Sequence, residues 1–462
     1  MNYISRITIT LIGVGALSSC HIYKKFEMPT DSPLTAQYAE LKDSPVDSLA
    51  FGNLQWQQVF TDPTLVSFIN KALENNTDLA NAKLNVDIAQ AQLKGARLSY
   101  LPSLTLGTAT GAKAYYDYPG MRDLPWTYSV PLSAQWEIDI FGKLLNSNRK
   151  AKAALMQTEA YVQAVRSQLI AGVASCYYTI AMLEKQLSIS RQTAEYWAES
   201  VEIMKNFKLA GRVNESAVVQ STANYYSVLA SITDLEVALH EANNSLSLLI
   251  KETPQQWDIS ADATLTLPEM LRDNIPMREL AARPDVLAAE QSLAVAYYAT
   301  NQARAAFYPG LSISGQGGFT NSLGSLVSNP ANWFAQVAAS LTAPIFARGQ
   351  LYSNLAATKA QQQQALNNFE QTLLSASSEV SSAIMTYNKS AEKADMLKMQ
   401  VENLSKAVEY TEELLALDGT STYLEVLTAQ QSLLAAQLSQ VACENTRTRA
   451  AINLYQSLGG GR

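Results

Sequence analysis

Histidine is nearly missing from this chain: two in 462 residues, His21 and His240. There is also no HExxH, CxxC, P-loop or GxSxG pattern, so the usual parts of a zinc, redox, phosphate-binding or serine-hydrolase site are lacking. A Ser-His-Asp arrangement would have to use His240, whose setting, "ALHEANN", reads as mid-helix and as a solvated or packed histidine. Cysteine is scarce too. The three residues Cys20, Cys176 and Cys443 make no disulfide framework. Charged residues form 16% of the chain, against a usual quarter, and the net charge is -7. Nucleic-acid binding needs a basic face to neutralise phosphates, and this balance argues against it. The chain reads as no enzyme, with no cofactor and no metal site.

What is plentiful is apolar and uncharged polar sequence. Hydrophobic residues are 47% of the total, enough for a large core, and the length allows two or three ordinary domains. Polar positions are filled by Gln, Asn, Ser and Thr, as in "AQQQQALNN". A surface of that kind suits a lining that water fills. The N-terminus reads as an export signal: Arg6 is the positive part, and "ITITLIGVGAL" is an apolar run too short to span a bilayer. It ends in "LSSC", which resembles the bacterial lipobox. The resemblance implies a signal peptide over 1–19 and acylation of Cys20, with His21 in the next position favouring outer-membrane sorting. The following "HIYKKFEMPTDSPLTAQYAEL" reads as an extended strap.

The strongest signal is internal duplication. "ARLSYLPSLTL" at 96 is echoed by "ARAAFYPGLSI" at 303, and "WEIDIFGKL" at 136 by "LTAPIFARGQL" at 341. "AGRVNESAVVQ" at 210 matches "DGTSTYLEVLT" at 418, and the "LSLLI" at 246 matches the "LYQSL" at 454. These echoes keep their order and an offset of about two hundred and seven residues, so one unit is used twice.

Each unit begins with a helix, 78–100 or 283–307, with Thr77 or Asp78 as the expected N-cap of the first. It stops before Pro102 or Pro309, since the residue before proline is pushed out of helical geometry. Strands follow from Ser103 to about Tyr115 and from Gly310 to about Thr320. After a turn-rich loop the chain returns. Val130, Leu132, Ala134, Trp136, Ile138 and Ile140 alternate with Pro131, Ser133, Gln135, Glu137 and Asp139, the period of a strand with one apolar and one polar face. Trp333, Ala335, Val337, Ala339, Leu341, Ala343 and Ile345 repeat the pattern. The "GQGG" at 315 falls inside a strand, where a phosphate-binding reading is weak.

Beyond each hairpin no proline interrupts Lys143 to about Leu209, or about Gln350 to Leu417. Helices of that length would each run roughly 100 Å. Apolar steps of three and four mark a seam through Val173, Cys176, Ile180, Leu183, Leu187, Ser190, Ala194, Trp197, Val201 and Met204. A second seam passes through Leu366, Phe369, Leu373, Ala376, Val380, Ala383 and Tyr387, then Val401, Leu404, Val408, Thr411 and Leu415. Cys176 is read as a small packing residue. Each helix ends at a glycine, Gly211 or Gly419, and a shorter helix returns.

Four two-faced strands cannot close a membrane barrel, and an open sheet edge in lipid leaves backbone groups unpaired. Oligomerisation is therefore expected, and three chains would give twelve strands. At "DPTLVSFINKALENNTDLANAKLNV", "WEIDIFGKL", "ARPDVLAAEQSL", "ARAAFYPGLSISG", "APIF" and "LYQSLGGG" the sequence resembles the TolC-like outer-membrane factors, in particular the lipoprotein branch serving RND-type efflux pumps. The resemblance covers essentially the whole mature chain. It implies a mainly α fold with a transmembrane β-barrel: a homotrimer whose twelve-stranded β-barrel continues into a periplasmic α-barrel. It also implies passive conduction, a periplasmic adaptor, an inner-membrane pump, and contact with outer-membrane lipid. The organisation expected is a signal peptide over 1–19 and a lipid-anchored strap and equatorial segment over 20–60. The first repeat is 61–251 (hairpin 102–141, helices 143–251), followed by an equatorial linker, 252–282. The second repeat is 283–458 (hairpin 309–346, helices 347–458), ahead of a tail, 459–462. Two other readings stay open: a duct for secreted polypeptides, and a surface coiled-coil lipoprotein that conducts nothing.

Site residues follow from these readings. Gln135, Glu137 and Asp139 would face the channel lumen, though Glu137 and Asp139 also have the spacing of a metal or acid/base pair. The resemblance makes the tips, Ala210, Gly211, Arg212, Gly419 and Thr420, the docking place for an adaptor hairpin. In the family the helix after the second tip reads like "YLxLLDAQRSL", whereas here it is "YLEVLTAQQSL". Thr428 stands at the Asp position and Gln431 at the Arg position. Leu424 keeps the place of an apolar constriction, and mutual repulsion of Glu425 and Asp418 would favour opening.

Overall fold

The structure is a computed structural model and describes residues 24–42, 54–107, 110–112, 127–265, 277–320, 333–417 and 422–461. The described residues fall into two compact units, each assembled from three stretches of chain. One draws on 1–32, 85–159 and 288–370, the other on 33–84, 160–287 and 371–462.

The first unit is built round an antiparallel sheet. Its strands are β1 (Ser103–Leu106), β2 (Thr110–Ala112), β3 (Thr127–Ile138), β4 (Gly310–Thr320) and β5 (Trp333–Thr342). The order is β1-β3-β4-β5, with β2 pairing the same edge of β3 as β1 does, so β1 and β2 act as one interrupted strand. The hairpins of the two repeats thus join through β3 and β4. Both return strands are shorter than their alternation suggested. β3 stops at Ile138, leaving Asp139 and Ile140 in the connection, and β5 stops at Thr342, leaving Ala343 and Ile345 outside. In the second case Pro344 has no N–H to extend the ladder. Pro131 lies inside β3, an unusual place for a residue lacking a donor. It is accommodated by glycine on either side: Gly107 donates to the Pro131 carbonyl at 2.6 Å, and Gly318 faces Pro131 directly across β4.

Sheet passes to helix through glycine in both repeats. Gly142 (φ 69°) leads into α5 (Lys143–Leu209), and Gly349 (φ 77°), after Arg348 (φ 50°), leads into α8 (Gln350–Leu417). All three are left-handed, the conformation glycine adopts without a Cβ penalty. Phe141 stacks on Tyr308 at 4.9 Å, and Phe307 meets Tyr352 edge-on at 5.3 Å. These aromatic pairs pin each handover to the end of α7 (Pro284–Ala305).

The second unit holds α1 (Pro33–Lys42), α2 (Trp56–Val59), α3 (Pro63–Asn75), α6 (Glu215–Ile250) and α9 (Tyr423–Ser457), with most of α5 (Lys143–Leu209) and α8 (Gln350–Leu417). The long helices end where the sequence indicated. Along α5 the seam is real: Val173, Ile180, Ser190 and Trp197 are fully buried. Cys176 departs from it and is only part-buried, while Cys443 is buried with its thiol 3.4 Å from the Ser390 carbonyl. On α8 the seam is buried from Phe369 to Ala383 but only half-buried from Val401 to Leu415.

Two expectations need correction. The strap is partly helical, because Pro33 starts α1 and Tyr38 and Thr35 are buried. The first-repeat helix, expected over 78–100, is α4 (Thr77–Leu98), and Asn76 separates it from α3. Neither Thr77 nor Asp78 is the cap: the Asn76 side chain accepts from the N–H groups of Asp78 and Leu79 at 2.9 and 3.0 Å. Its amide also donates to the Leu249 carbonyl, which fixes the break against α6.

Other joints explain residues in the quoted motifs. Arg283 is buried, bonded to Asp285, to Glu379 of α8 and to the Ser457 carbonyl of α9. Trp257 packs edge-on against Phe68 at 5.2 Å and donates to Ser247. The final glycines wrap round Tyr455, whose hydroxyl donates to the Leu54 carbonyl and accepts from Gly461.

Two substitutions test this packing. A Cβ on Gly318 would lie 2.1 Å from the Val130 carbonyl, whereas one on Gly315 meets nothing closer than 3.9 Å. Gly318→Ala should therefore destabilise the folded protein by roughly 1–3 kcal/mol, the range for overpacking, and Gly315→Ala should not. The yield of heat-modifiable folded protein on gels measures the difference. In the other unit a Cβ on Gly460 would sit 2.4 Å from the Tyr455 ring. Gly460→Ala should lower the thermal midpoint, and Gly95→Ala, at a helical position with open space, should leave it the same or slightly raised.

Candidate gate and channel surface

Strand register sorts the sheet into two faces, because paired residues lie on the same side. One face carries Leu104, Leu106, Val130, Leu132, Trp136, Ile313, Phe319, Trp333, Val337 and Leu341. The other carries Ser103, Thr105, Ser133, Gln135, Glu137, Ser312, Ser314, Gln316, Gln336 and Ser340. The apolar face is open: Leu104 is 71% exposed, Trp333 73% and Val337 79%. A patch of that extent is not left bare in water by a soluble monomer. Among the described residues no helix is long and apolar enough to cross a membrane.

Gln135 and Glu137 sit together on the polar face. Asp139 does not. It follows the strand, and its carboxylate accepts the N–H of Leu145 at 2.7 Å, capping the start of α5. An acidic group there also meets the positive end of the helix dipole. Glu137 pairs with Lys143 at 2.8 Å, both half-exposed, a contact worth about 0–1 kcal/mol. The two carboxylates thus hold separate partners rather than forming one site. Among the described residues no group of three His, Cys, Asp or Glu could hold a metal ion.

In the other unit, the first tip closes α5 through a two-bond cap. Gly211 (φ 71°) donates to the Lys208 carbonyl and Arg212 to the Phe207 carbonyl, both at 2.9 Å. This is the Schellman pattern, and its usual side-chain contact is present as the Arg212 guanidinium over the Phe207 ring at 5.7 Å. Lys208 bridges to Glu215, and Asn214 caps α6. Ala210, Gly211 and Arg212 are exposed. Cys20, Asp418, Gly419 and Thr420 lie outside the described residues.

The start of α9 has an exposed face and a buried one. Leu424, Thr428 and Gln431, spaced i, i+4, i+7, form one exposed stripe. Tyr423, Val426, Leu427 and Gln430 are buried. Thr428 returns its hydroxyl to the Leu424 carbonyl at 2.8 Å. Glu425 takes the Thr422 N–H at 2.9 Å in a capping box. Its carboxylate is engaged at the helix N-terminus, which weakens the idea that it drives opening by repulsion.

Sequence reasoning missed what lies behind this stripe. The Tyr196 hydroxyl of α5 donates to Glu412 of α8, and the Gln430 amide donates both to that hydroxyl and to Glu412. Burial, then the bond to Glu412, raises the Tyr196 pKa above the ordinary tyrosine value. Nearby, the Tyr423 hydroxyl meets Ser221 of α6, and burial raises its pKa as well. One signal was available: Gln430 is polar at an apolar step of the helix, and buried polar groups need partners.

Comparison with known proteins places this architecture. Probable outer membrane lipoprotein SilC of Salmonella typhimurium is 28% identical over 460 residues, covering 98% of each chain. Cation efflux system protein CusC of Escherichia coli (strain K12) is 28% identical over 453 residues, covering 96% of this chain and 97% of its own. Among solved structures, CusC aligns with a TM-score of 0.82 at 26% identity, over 96% of this chain and all of that one. The outer-membrane channel OprN aligns with 0.83 at 26% identity, over 96% and 99%. A family model described as outer membrane efflux protein matches residues 68–250 and 275–460, one match over each repeat. The chain belongs to the outer membrane efflux protein family.

Proposed function

We propose that this protein is the outer-membrane exit duct of a tripartite efflux system. It works as a homotrimer and passes small molecules outward from a periplasmic adaptor and an inner-membrane pump of the RND type. The observation that carries the reading is the two-faced sheet, whose outer edges pair no further strand among the described residues. Its apolar face is suited to lipid, its Ser- and Gln-rich face to water, and its edges to further copies of the same sheet. Cys20 carries the lipid anchor. The tips at Ala210, Gly211, Arg212, Gly419 and Thr420 receive the adaptor. Relatives of similar identity are named for cation, toluene and pyoverdine export, which supports a conduit whose cargo is chosen by its pump.

In this reading Gln135 and Glu137 face the lumen, and Glu137 carries more of any cation preference than Asp139, which is tied to a helix start. The constriction is three copies of Leu424, packed apolar surface that closes by excluding water. Thr428 and Gln431 cannot form the ion pair that an Asp and Arg would make in their places.

Purified protein in planar lipid bilayers tests the function: stepwise conductance is expected, and a non-conducting stalk would give none. The expected closed state changes little with salt, because screening acts on charges. Leu424→Ser should raise conductance and admit large antibiotics to cells, and a silent variant would remove Leu424 from the gate. Deletion of the gene should sensitise cells in a panel of drugs, detergents and metal salts. For the anchor, Cys20→Ser should yield protein without acyl chains by mass spectrometry, and an unmodified mature N-terminus upstream of Cys20 in the native protein would refute the assignment.

A further inference from the structure

The exposed stripe of α9 can aim Leu424 in one direction only if the helix is prevented from rolling or tilting. Its first two turns are held at two points. Tyr423, beside Leu424, is buried with its hydroxyl on Ser221 of α6 and Ser200 of α5. Gln430 lies six residues beyond Leu424, roughly 9 Å along the axis. It is 6% exposed and closes a triangle with Tyr196 of α5 and Glu412 of α8. The second point differs from the first in kind: each of its three members touches the other two, and one is a carboxylate. Hydrogen bonds to an ionised group are the strong ones.

The triangle also resolves a conflict in the local sequence. Gln430 occupies a position that Tyr423, Val426 and Leu427 make part of the buried face of α9. An apolar residue there would pack against any neighbour at any small rotation, whereas a glutamine has to meet its partners in one geometry. Its amide oxygen has no hydrogen-bond partner among the described residues, so its fit to the site rests on the amide nitrogen alone. Such an arrangement is poorly suited to adding bulk stability and well suited to fixing orientation.

We infer that Tyr196, Glu412 and Gln430 form a polar latch that positions α9 and thereby holds Leu424 at the constriction. The three are positioning residues: none belongs to the exposed stripe, and their effect on conduction passes through Leu424. The latch rests on the reading of Leu424 as the constriction. Here, where the family's Asp and Arg are replaced by Thr428 and Gln431, it supplies the charge-assisted contact from the buried side of the helix instead of the exposed side. Opening then requires α9 to part from α5 and α8 together.

The test uses the intact trimer in planar bilayers with four variants, Tyr196→Phe, Glu412→Gln, Glu412→Ala and Leu424→Ser, and the double variant Tyr196→Phe with Leu424→Ser. Tyr196→Phe keeps the ring and its packing but removes the bridging hydroxyl. It should raise the open-to-closed ratio on the order of tenfold, the effect of losing one hydrogen bond to a charged group. Glu412→Gln, which retains an acceptor, should have a smaller effect than Glu412→Ala. In the Leu424→Ser background Tyr196→Phe should add almost nothing, since the latch has no constriction left to position; a merely structural role would leave the two effects additive. Trimer content on gels should be unchanged throughout. Leu424→Ser opening the channel while Tyr196→Phe conducts as wild type would overturn the latch and spare the gate. A silent Leu424→Ser with an open Tyr196→Phe would overturn the assignment of Leu424 and the coupling to it. Full additivity in the double variant would overturn the positioning role even if each single variant leaks.

Discussion

A backbone crossing lipid must have every N–H and C=O bonded within protein, because the hydrocarbon offers no partner. The sheet of this chain meets that demand on its inside and fails it at its rims. Among the described residues β3 and β4 are paired on both sides, but β1 with β2 and β5 have one side each without a strand. Each repeat contributes one hairpin, and the β3–β4 pairing that joins the repeats is as long as the β4–β5 pairing within the second. Among the described residues, one edge from each repeat remains open, and a further copy of the same sheet carries a complementary edge. Strand count and lipid together therefore call for oligomerisation. The same demand explains the local chemistry: a proline inside β3 is tolerable because Gly107 and Gly318 surrender side-chain volume beside it, which keeps the ladder continuous.

The helical ends follow the same logic of unpaired backbone groups. Repeat one enters its long helix through a single left-handed glycine, with Asp139 reaching over to cap Leu145. Repeat two uses two consecutive left-handed residues, Arg348 and Gly349. A left-handed Arg costs roughly 1–2 kcal/mol relative to the right-handed form. Duplication has kept a left-handed glycine immediately before each long helix, while the residues around it differ.

The sequence made the large elements legible because their limits are set by local chemistry. Left-handed glycine fixes the starts of α5 and α8 and the end of α5, and period-two alternation fixes the strands to within a few residues. Misreadings arose where a partner remote in sequence decides the outcome. Asn76 rather than Thr77 or Asp78 caps the first-repeat helix because the Leu249 carbonyl holds its side chain. The strap becomes helical at Pro33 where its Thr35 and Tyr38 are buried. Cys176 sits on the seam by spacing, yet the helix turns it toward the rim. Of the site, the stripe Leu424, Thr428, Gln431 was visible as a helical period. The triangle behind it was not, since Tyr196 lies 216 residues from Glu412 and 234 from Gln430. No window of sequence contains all three.

Carboxylates give the most general lesson. Asp139 is expected in the channel lumen and Glu425 at the gate beside Asp418, and both carboxylates are bonded at helix starts, one to Leu145 and the other to Thr422. A helix N-terminus offers unpaired N–H groups and a positive dipole end, so a nearby acidic side chain is drawn there before it can act on anything else. On the polar face of the sheet this leaves Glu137 as the acid among Ser, Thr and Gln side chains. A conduit that must pass whatever its pump delivers gains from a face so nearly neutral. The carboxylate contact of Glu412 with Tyr196 and the buried Gln430 lies on the side of α9 away from the exposed stripe, where it can order the helix without offering a charge to the cargo.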